Sequence, residues 1–260
     1  MSWPAFTMTL RLRMGATASA TVALIAVLLV VGALFPAVGD SFGKLHLPKG
    51  ISDLLGGADY STITGWYRAE IASFYGPLLI GAVAITGAVS STAGEEEDRI
   101  LALILSEPVT RPRLVAGKAG AVGVAVVVIA FSAWVGLIVG VALGGGGITL
   151  ENLSAYSVHL AFFGLATGSV ALAVGAATGR RALAVEAAVA VALAGWLING
   201  FAPLVEAIAW LKYLSLFYYY AHHDSLTGGV DLEDLAVLAL VTAVFTSVGI
   251  IGISRRDLRA

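Results

Sequence analysis

An all-α, polytopic membrane fold with six transmembrane helices is predicted by three observations. These are the apolar composition, the recurrence of apolar runs of crossing length, and the sorting of Lys and Arg to one side. Hydrophobic residues make up 58% of the 260 and charged residues only 12%, and the mean hydropathy is +0.92. Soluble domains carry about 25% charged residues, so the chain is not one of them. A helix crosses a hydrocarbon core about 30 Å thick with about 20 residues. Runs of that kind lie at about 17–38, 71–91, 114–143, 155–178, 182–203 and 235–253, which reads as a single transmembrane domain over 1–260.

The first run follows Arg11 and Arg13, a charge-then-oil order that a secretory signal also shows, yet it is longer than the apolar core of a signal, about 7–15 residues. It is read as the first span. With the N-terminus inside, Arg11, Arg13, Arg99, Arg111, Arg113, Lys118, Arg180, Arg181, Arg255, Arg256 and Arg259 are cytoplasmic, 11 of the 15 basic residues. Lys44, Lys49, Arg68 and Lys212 are then outside. Both termini are expected in the cytoplasm, as the bias of basic loops toward that side requires. Trp66 and Tyr67 precede the second span at interfacial depth. Glycines four apart, Gly136, Gly140 and Gly144, then Gly164 with Gly168 and Gly175 with Gly179, predict close helix packing within one subunit.

The most polar stretch is 95–113, between the second and third spans. Its first half reads as a short amphipathic helix: Glu95 to Asp98 suit the positive end of its dipole, and Ile100, Leu103 and Ile104 share a face. Pro108 ends it. Such a helix lies along a membrane surface or enters a groove on a partner, or the acids form a solvated loop with the leucines resting on lipid. Between the fifth and sixth spans, Trp210, Tyr213, Phe217, Tyr218, Tyr219 and Tyr220 form an aromatic cluster for the outer interface, as a belt or as short helices dipping into the membrane. Glu186 is an acid inside the fifth span, costing about 2.5–3.5 kcal/mol if unpaired near mid-membrane. It is expected to pair with Arg180, Arg181 or Lys118, the other reading being a functional acid in the transport path. His159 is expected at the outer interface.

No cysteine is present, and no metal site is expected at His222, His223 and Asp224. No Gly-x-x-x-x-Gly-Lys-Ser/Thr loop, catalytic triad or dinucleotide fingerprint occurs, so the chain is not expected to be an enzyme by itself or to bind a cofactor. The near-neutral net charge gives no reason to expect nucleic acid as a partner.

The order within the polar stretch is an acidic cluster, a leucine-rich turn, Ser106, Pro108-Val-Thr-Arg111, then Leu114, Gly117 and Lys118 entering the next span. It resembles the cytoplasmic stretch of ABC-2 type transporter permeases, where a coupling helix docks on the ATP-binding subunit. Arg99 and Glu107 add charge beyond that family's usual look. The segment 211–220 is similar to its re-entrant short helices between spans 5 and 6, and the tail 254–258 is similar to its basic end. The resemblance implies docking of a separate P-loop ATP-binding subunit through Glu96, Glu97, Asp98, Arg99, Ile100, Leu103, Ile104, Ser106, Pro108 and Arg111. It also implies ATP and Mg used by that partner, a second permease copy, and export across the plasma membrane of a prokaryote. Two alternatives stay open: a mechanical transmitter acting on an extracytoplasmic partner, and an ion-gradient-driven carrier.

Overall fold

The computed structural model describes residues 3–42, 59–101 and 109–255, and among these every regular element is helical. In chain order they are α1 (Trp3–Phe42), α2 (Ile63–Glu97), α3 (Arg111–Leu143) and α4 (Leu150–Thr178). There follow α5 (Arg181–Phe201), the short helices α6 (Leu216–Ala221) and α7 (Ser225–Gly228), and α8 (Leu232–Ser254). Six of them, α1 to α5 and α8, are long and apolar enough to cross a membrane. Five of the apolar runs of the sequence lie within these helices, the fifth run passes two residues beyond α5 into a 3₁₀ turn, and α1 begins more than three turns before its run. The extension is physical: Trp3 to Met14 contain no helix breaker after Pro4, which is tolerated in a first turn.

The largely buried α4 sits at the centre, against α8, α2, α3 and α5, while α1 packs along α3. α1, α5 and α8 carry Leu34, Leu193, Leu240 and Val248 in exposed positions. In lipid, helices gain little from hiding one apolar surface against another, so close approach and hydrogen bonds decide how they pack. The glycines supply that approach within this chain. Gly136 faces Leu28, and Gly140 lies against Leu28 O and Tyr67 Oη. A Cβ at Gly164 would stand 2.8 Å from Ile80, and one at Gly168 would stand 3.0 Å from Ala84 Cβ. Gly252 meets Ala177 across α8 and α4. Polar side chains then pin the start of α2 to α1: Trp66 Nε1 donates to Val31 O (2.9 Å) and Tyr67 Oη donates to Leu28 O (2.9 Å).

The ends are set by local chemistry. Gly145, Gly146 and Gly147 all have positive φ in the turn between α3 and α4, a region glycine enters freely. Thr149 caps α4, accepting from Asn152 N, and Gly179 (φ 63) ends it. Asp231 caps α8, accepting from Glu233 N (2.8 Å) and Asp234 N (3.1 Å).

Two outcomes follow. Gly140→Val should destabilise the protein by about 3 kcal/mol by forcing α1 from α3, whereas exposed Gly15→Ala, with nothing within 4 Å of its added methyl, should leave it unchanged or up to about 1 kcal/mol more stable. Thermal melting in detergent reads both. The N–H of Asp234 holds the Asp231 carboxyl below its usual range, against burial that raises it and helped by the N–H of Glu233 and by His223 and His222. This cap is therefore fully present above about pH 4 and lost as pH falls through the lowered folded value. Asp231→Ala should cost about 1 kcal/mol at neutral pH, a deficit that shrinks on acidification.

Candidate functional site

The end of the bundle that carries Arg13, Arg99, Arg111, Arg113, Lys118, Arg180, Arg181 and Arg255 is also where the acidic run comes to lie. Glu95 to Glu97 do not open a new helix. They close α2, and the chain turns at Asp98 and at Arg99, whose φ is 59°. A new helix begins only at Ile100 and Leu101, with Leu101 buried. Leu103, Ile104, Ser106 and Pro108 lie outside the described residues, and Arg111 is the first residue of α3.

The three glutamates point to three different helices. Glu95 Oε2 accepts from Lys118 Nζ of α3 at 2.5 Å, with the lysine 2% and the glutamate 11% exposed. A lone charge at such depth costs several kcal/mol, and the pair with its hydrogen bond offsets that cost. Arg13 of α1 stands close enough to interact with Glu95 and with Arg181. The buried Glu96 carboxylate covers Gly179, at the left-handed end of α4, where a Cβ would lie 2.7 Å from the carboxyl carbon. Glu97 Oε1 accepts from Arg181 N at 2.8 Å. Arg181 is the first residue of α5, so this carboxylate takes one of the four N–H groups that no turn of α5 can satisfy. The acids do serve the positive end of a helix dipole, but that helix is α5, not one they begin. Sequence spacing could not show this, because the acceptor and donor are 84 residues apart.

Lys118 is thereby spoken for, and the expected pairing of Glu186 is corrected. Glu186 is exposed on α5, and among the described residues it has no ionic partner. Lys118 itself was the legible signal: a lysine a full turn inside an apolar span needs an acid.

At the opposite end, the aromatic segment divides in two. Trp210 (58% exposed) and Tyr213 (53%) lie outward on a 3₁₀ stretch, Glu206–Leu214. Phe217 and Tyr220 are buried on α6, with Tyr218 and Tyr219 half-buried between. Lys212 lies over the rings of Tyr213 and Tyr218. Ser215 fixes α6 by donating to Gly195 O of α5 (2.8 Å) while accepting from Phe217 N. His222 and His223 bind separately, to Asp234 (2.9 Å) and Asp231 (3.4 Å), and Asp224 pairs with Arg68 of α2. His159, expected at an interface, is fully buried in α4, its Nδ1 2.9 Å from Ala155 O.

Between these ends lies an apolar cavity of about 270 Å³, formed by α2, α4, α5 and α6 and lined among others by Phe74, Leu78, Phe163, Leu193, Trp196 and Phe217. Sequence reasoning did not single out Trp196. Its Nε1 donates to Ser73 O (3.0 Å), which fixes the ring in the cavity wall. The exposed side chains of Phe74, Leu78 and Leu193 stand at the open side of the cavity.

A family model for the multidrug efflux system permease Rv1217c, C-terminal domain, matches residues 4–253. The chain belongs to this family. It is thus a permease of the efflux type, a multi-pass membrane protein whose six helices the matched region covers to within one residue at each end. No curated protein matches the chain. Within this permease the Glu95–Lys118 pair makes a sharp prediction. Lys118→Met alone should cost about 3–5 kcal/mol by stranding the carboxylate, whereas Glu95→Leu with Lys118→Met should recover most of that. Melting of the two variants and the wild type in one detergent measures the difference.

Proposed function

We propose that this permease is the membrane subunit of an ABC-2 type exporter, driven by ATP that a separate P-loop subunit hydrolyses with Mg. The observation that carries the reading is the joint at the end of α2. The polar stretch that would meet the ATPase leaves the membrane from a helix end bound through Glu95 to α3 and through Glu97 to α5. A push on residues 98–111 therefore reaches three spans at once. The exposed Glu97, Asp98, Arg99 and Ile100 are the contact residues, continued by Leu103, Ile104, Ser106 and Pro108, with Arg111 at the start of α3. This end is cytoplasmic by the distribution of basic residues, which puts both termini inside the plasma membrane.

The permease works as a pair of copies, with the path between them, and ATP-driven closure of the partner subunits tilts α2 and α3. The cargo is apolar. Its support is the cavity beside α2 and α5, whose lining is apolar apart from Ser73 and Trp196 and whose Trp196 Nε1 is already used, so an occupant would find hydrocarbon contacts and few polar ones. The efflux description of the family fits such cargo.

Co-expression with neighbouring genes and purification in mild detergent should bring down a P-loop ATPase, and Asp98 and Ile100 changed together to Ala should release it without loss of permease yield. Absence of an ATPase from the unmutated preparation would overturn the reading. ATP-independent transport abolished by Glu186→Gln would favour an ion-driven carrier.

A further inference from the structure

Helix α2 is not α-helical throughout. Arg68–Tyr75 and Ser90–Gly94 are π-helical, eight and five residues, on either side of an α-helical segment, Gly76–Val89. Well under 1% of residues in proteins are π-helical, and such turns gather where helices must adjust. Two in one span, framing the segment that lines the cavity, call for a reason.

The hydrogen bonds supply it. Gly76 N donates to Ile71 O, five residues back. The next residue, Pro77, has no N–H, so neither Ala72 O nor Ser73 O can receive the bond that position 77 would give in either register. Unpaired carbonyls in lipid cost several kcal/mol. Here both are satisfied from other elements: Tyr220 Oη of α6 donates to Ala72 O (2.9 Å), and Trp196 Nε1 of α5 donates to Ser73 O (3.0 Å). At the other joint, the hydroxyls of Ser90, Ser91 and Thr92 each donate to the carbonyl four residues back. Both joints thus carry side-chain donors that hold backbone acceptors when the register is irregular.

We propose that the segment Gly76–Val89 turns about its own axis between these joints by one residue's register, and that Trp196 and Tyr220 are the positioning residues that set which register it occupies. A one-residue change of register in an α-helix is a turn of roughly 100° with a shift of about 1.5 Å. It changes which side chains of the segment face the cavity, and it is taken up within the π-helical turns at Arg68–Tyr75 and Ser90–Gly94, so that Glu95 and Glu97 keep their bonds to α3 and α5. The inference rests on the exporter reading only for what drives the turn. The turn itself is a property of this chain.

The absence of cysteine makes the register measurable. A Cβ at Gly87 would lie 3.5 Å from both methyl carbons of Val122, so Gly87→Cys with Val122→Cys should form a disulfide readily in the permease in lipid nanodiscs treated with copper-phenanthroline. Thr86→Cys or Ala88→Cys paired with Val122→Cys reports the turned register. At least one of these should close slowly when Trp196 and Tyr220 are intact and roughly tenfold or more faster after Trp196→Phe and Tyr220→Phe, the change expected for losing two hydrogen bonds in lipid. Ala84→Cys with Gly168→Cys, against Val83→Cys or Ile85→Cys with Gly168→Cys, repeats the test on the α4 side should Val122→Cys fold poorly. Equal rates with and without the aromatic donors, or slower closure at 87 and 122 with no gain at 86 or 88, would overturn the proposal. Neither ATP nor cargo enters the experiment, so its outcome is separate from whether an ATPase docks.

Discussion

A carboxylate and an ammonium with almost no access to solvent, Glu95 and Lys118, hold α2 to α3 at the basic end of the bundle. Each alone would be a costly charge in an apolar setting, and neither can leave without stranding the other. That mutual dependence fixes where α2 stops. With Glu95 committed to α3, the next two acids fall over the end of α4 and the start of α5, where Gly179 leaves space and Arg181 offers a free N–H. One short acidic run thus joins four helices, and Arg13 brings α1 to the same point.

The opposite end solves the same problem with neutral groups. Pro77 opens the hydrogen-bond ladder of α2, and the indole of Trp196 and the phenol of Tyr220 close it from α5 and α6. Because those donors sit at the cavity wall or beside it, the backbone of α2 and the shape of the cavity are set together. Between the two ends the glycine seams bring α4 within backbone distance of α2 and α8. A permease needs a fixed frame and an adjustable element; here the seams of α1 with α3 and of α4 with α8, with the ion pair, are the frame, and the segment of α2 between its two interruptions is the adjustable part.

Composition and periodicity made the frame legible. Six apolar runs predicted six helices, and glycines at intervals of four predicted seams that the structure closes within one chain. Lys118 could be seen as a charge in need of a partner, but Glu186 was the wrong acid. Glu95, 23 residues before Lys118, closes the preceding span beside it, whereas the local pattern read Glu95 as the start of a separate polar helix. The acidic run suggested a helix start from local propensity; it became a helix end because the dipole it serves belongs to α5. The aromatic segment read as one cluster, yet Ser215 divides it, leaving Trp210 and Tyr213 outward and turning Phe217 and Tyr220 inward. The π-helical joints had one visible trace, Pro77 inside a span, and the aromatic donors at the first of them, 123 and 148 residues beyond the carbonyls they serve, could only be found in three dimensions.

The account depends on the acidic joint facing the compartment where ATP is available. Single cysteines introduced at Asp98, beside the joint, and at Glu151, exposed at the other end of the bundle, would be treated in intact cells with a maleimide that does not cross membranes. Labelling is expected at 151 in intact cells and at 98 only after the membrane is opened. Labelling at 98 in intact cells, with 151 protected, would put the joint outside and contradict an ATP-driven permease at its foundation.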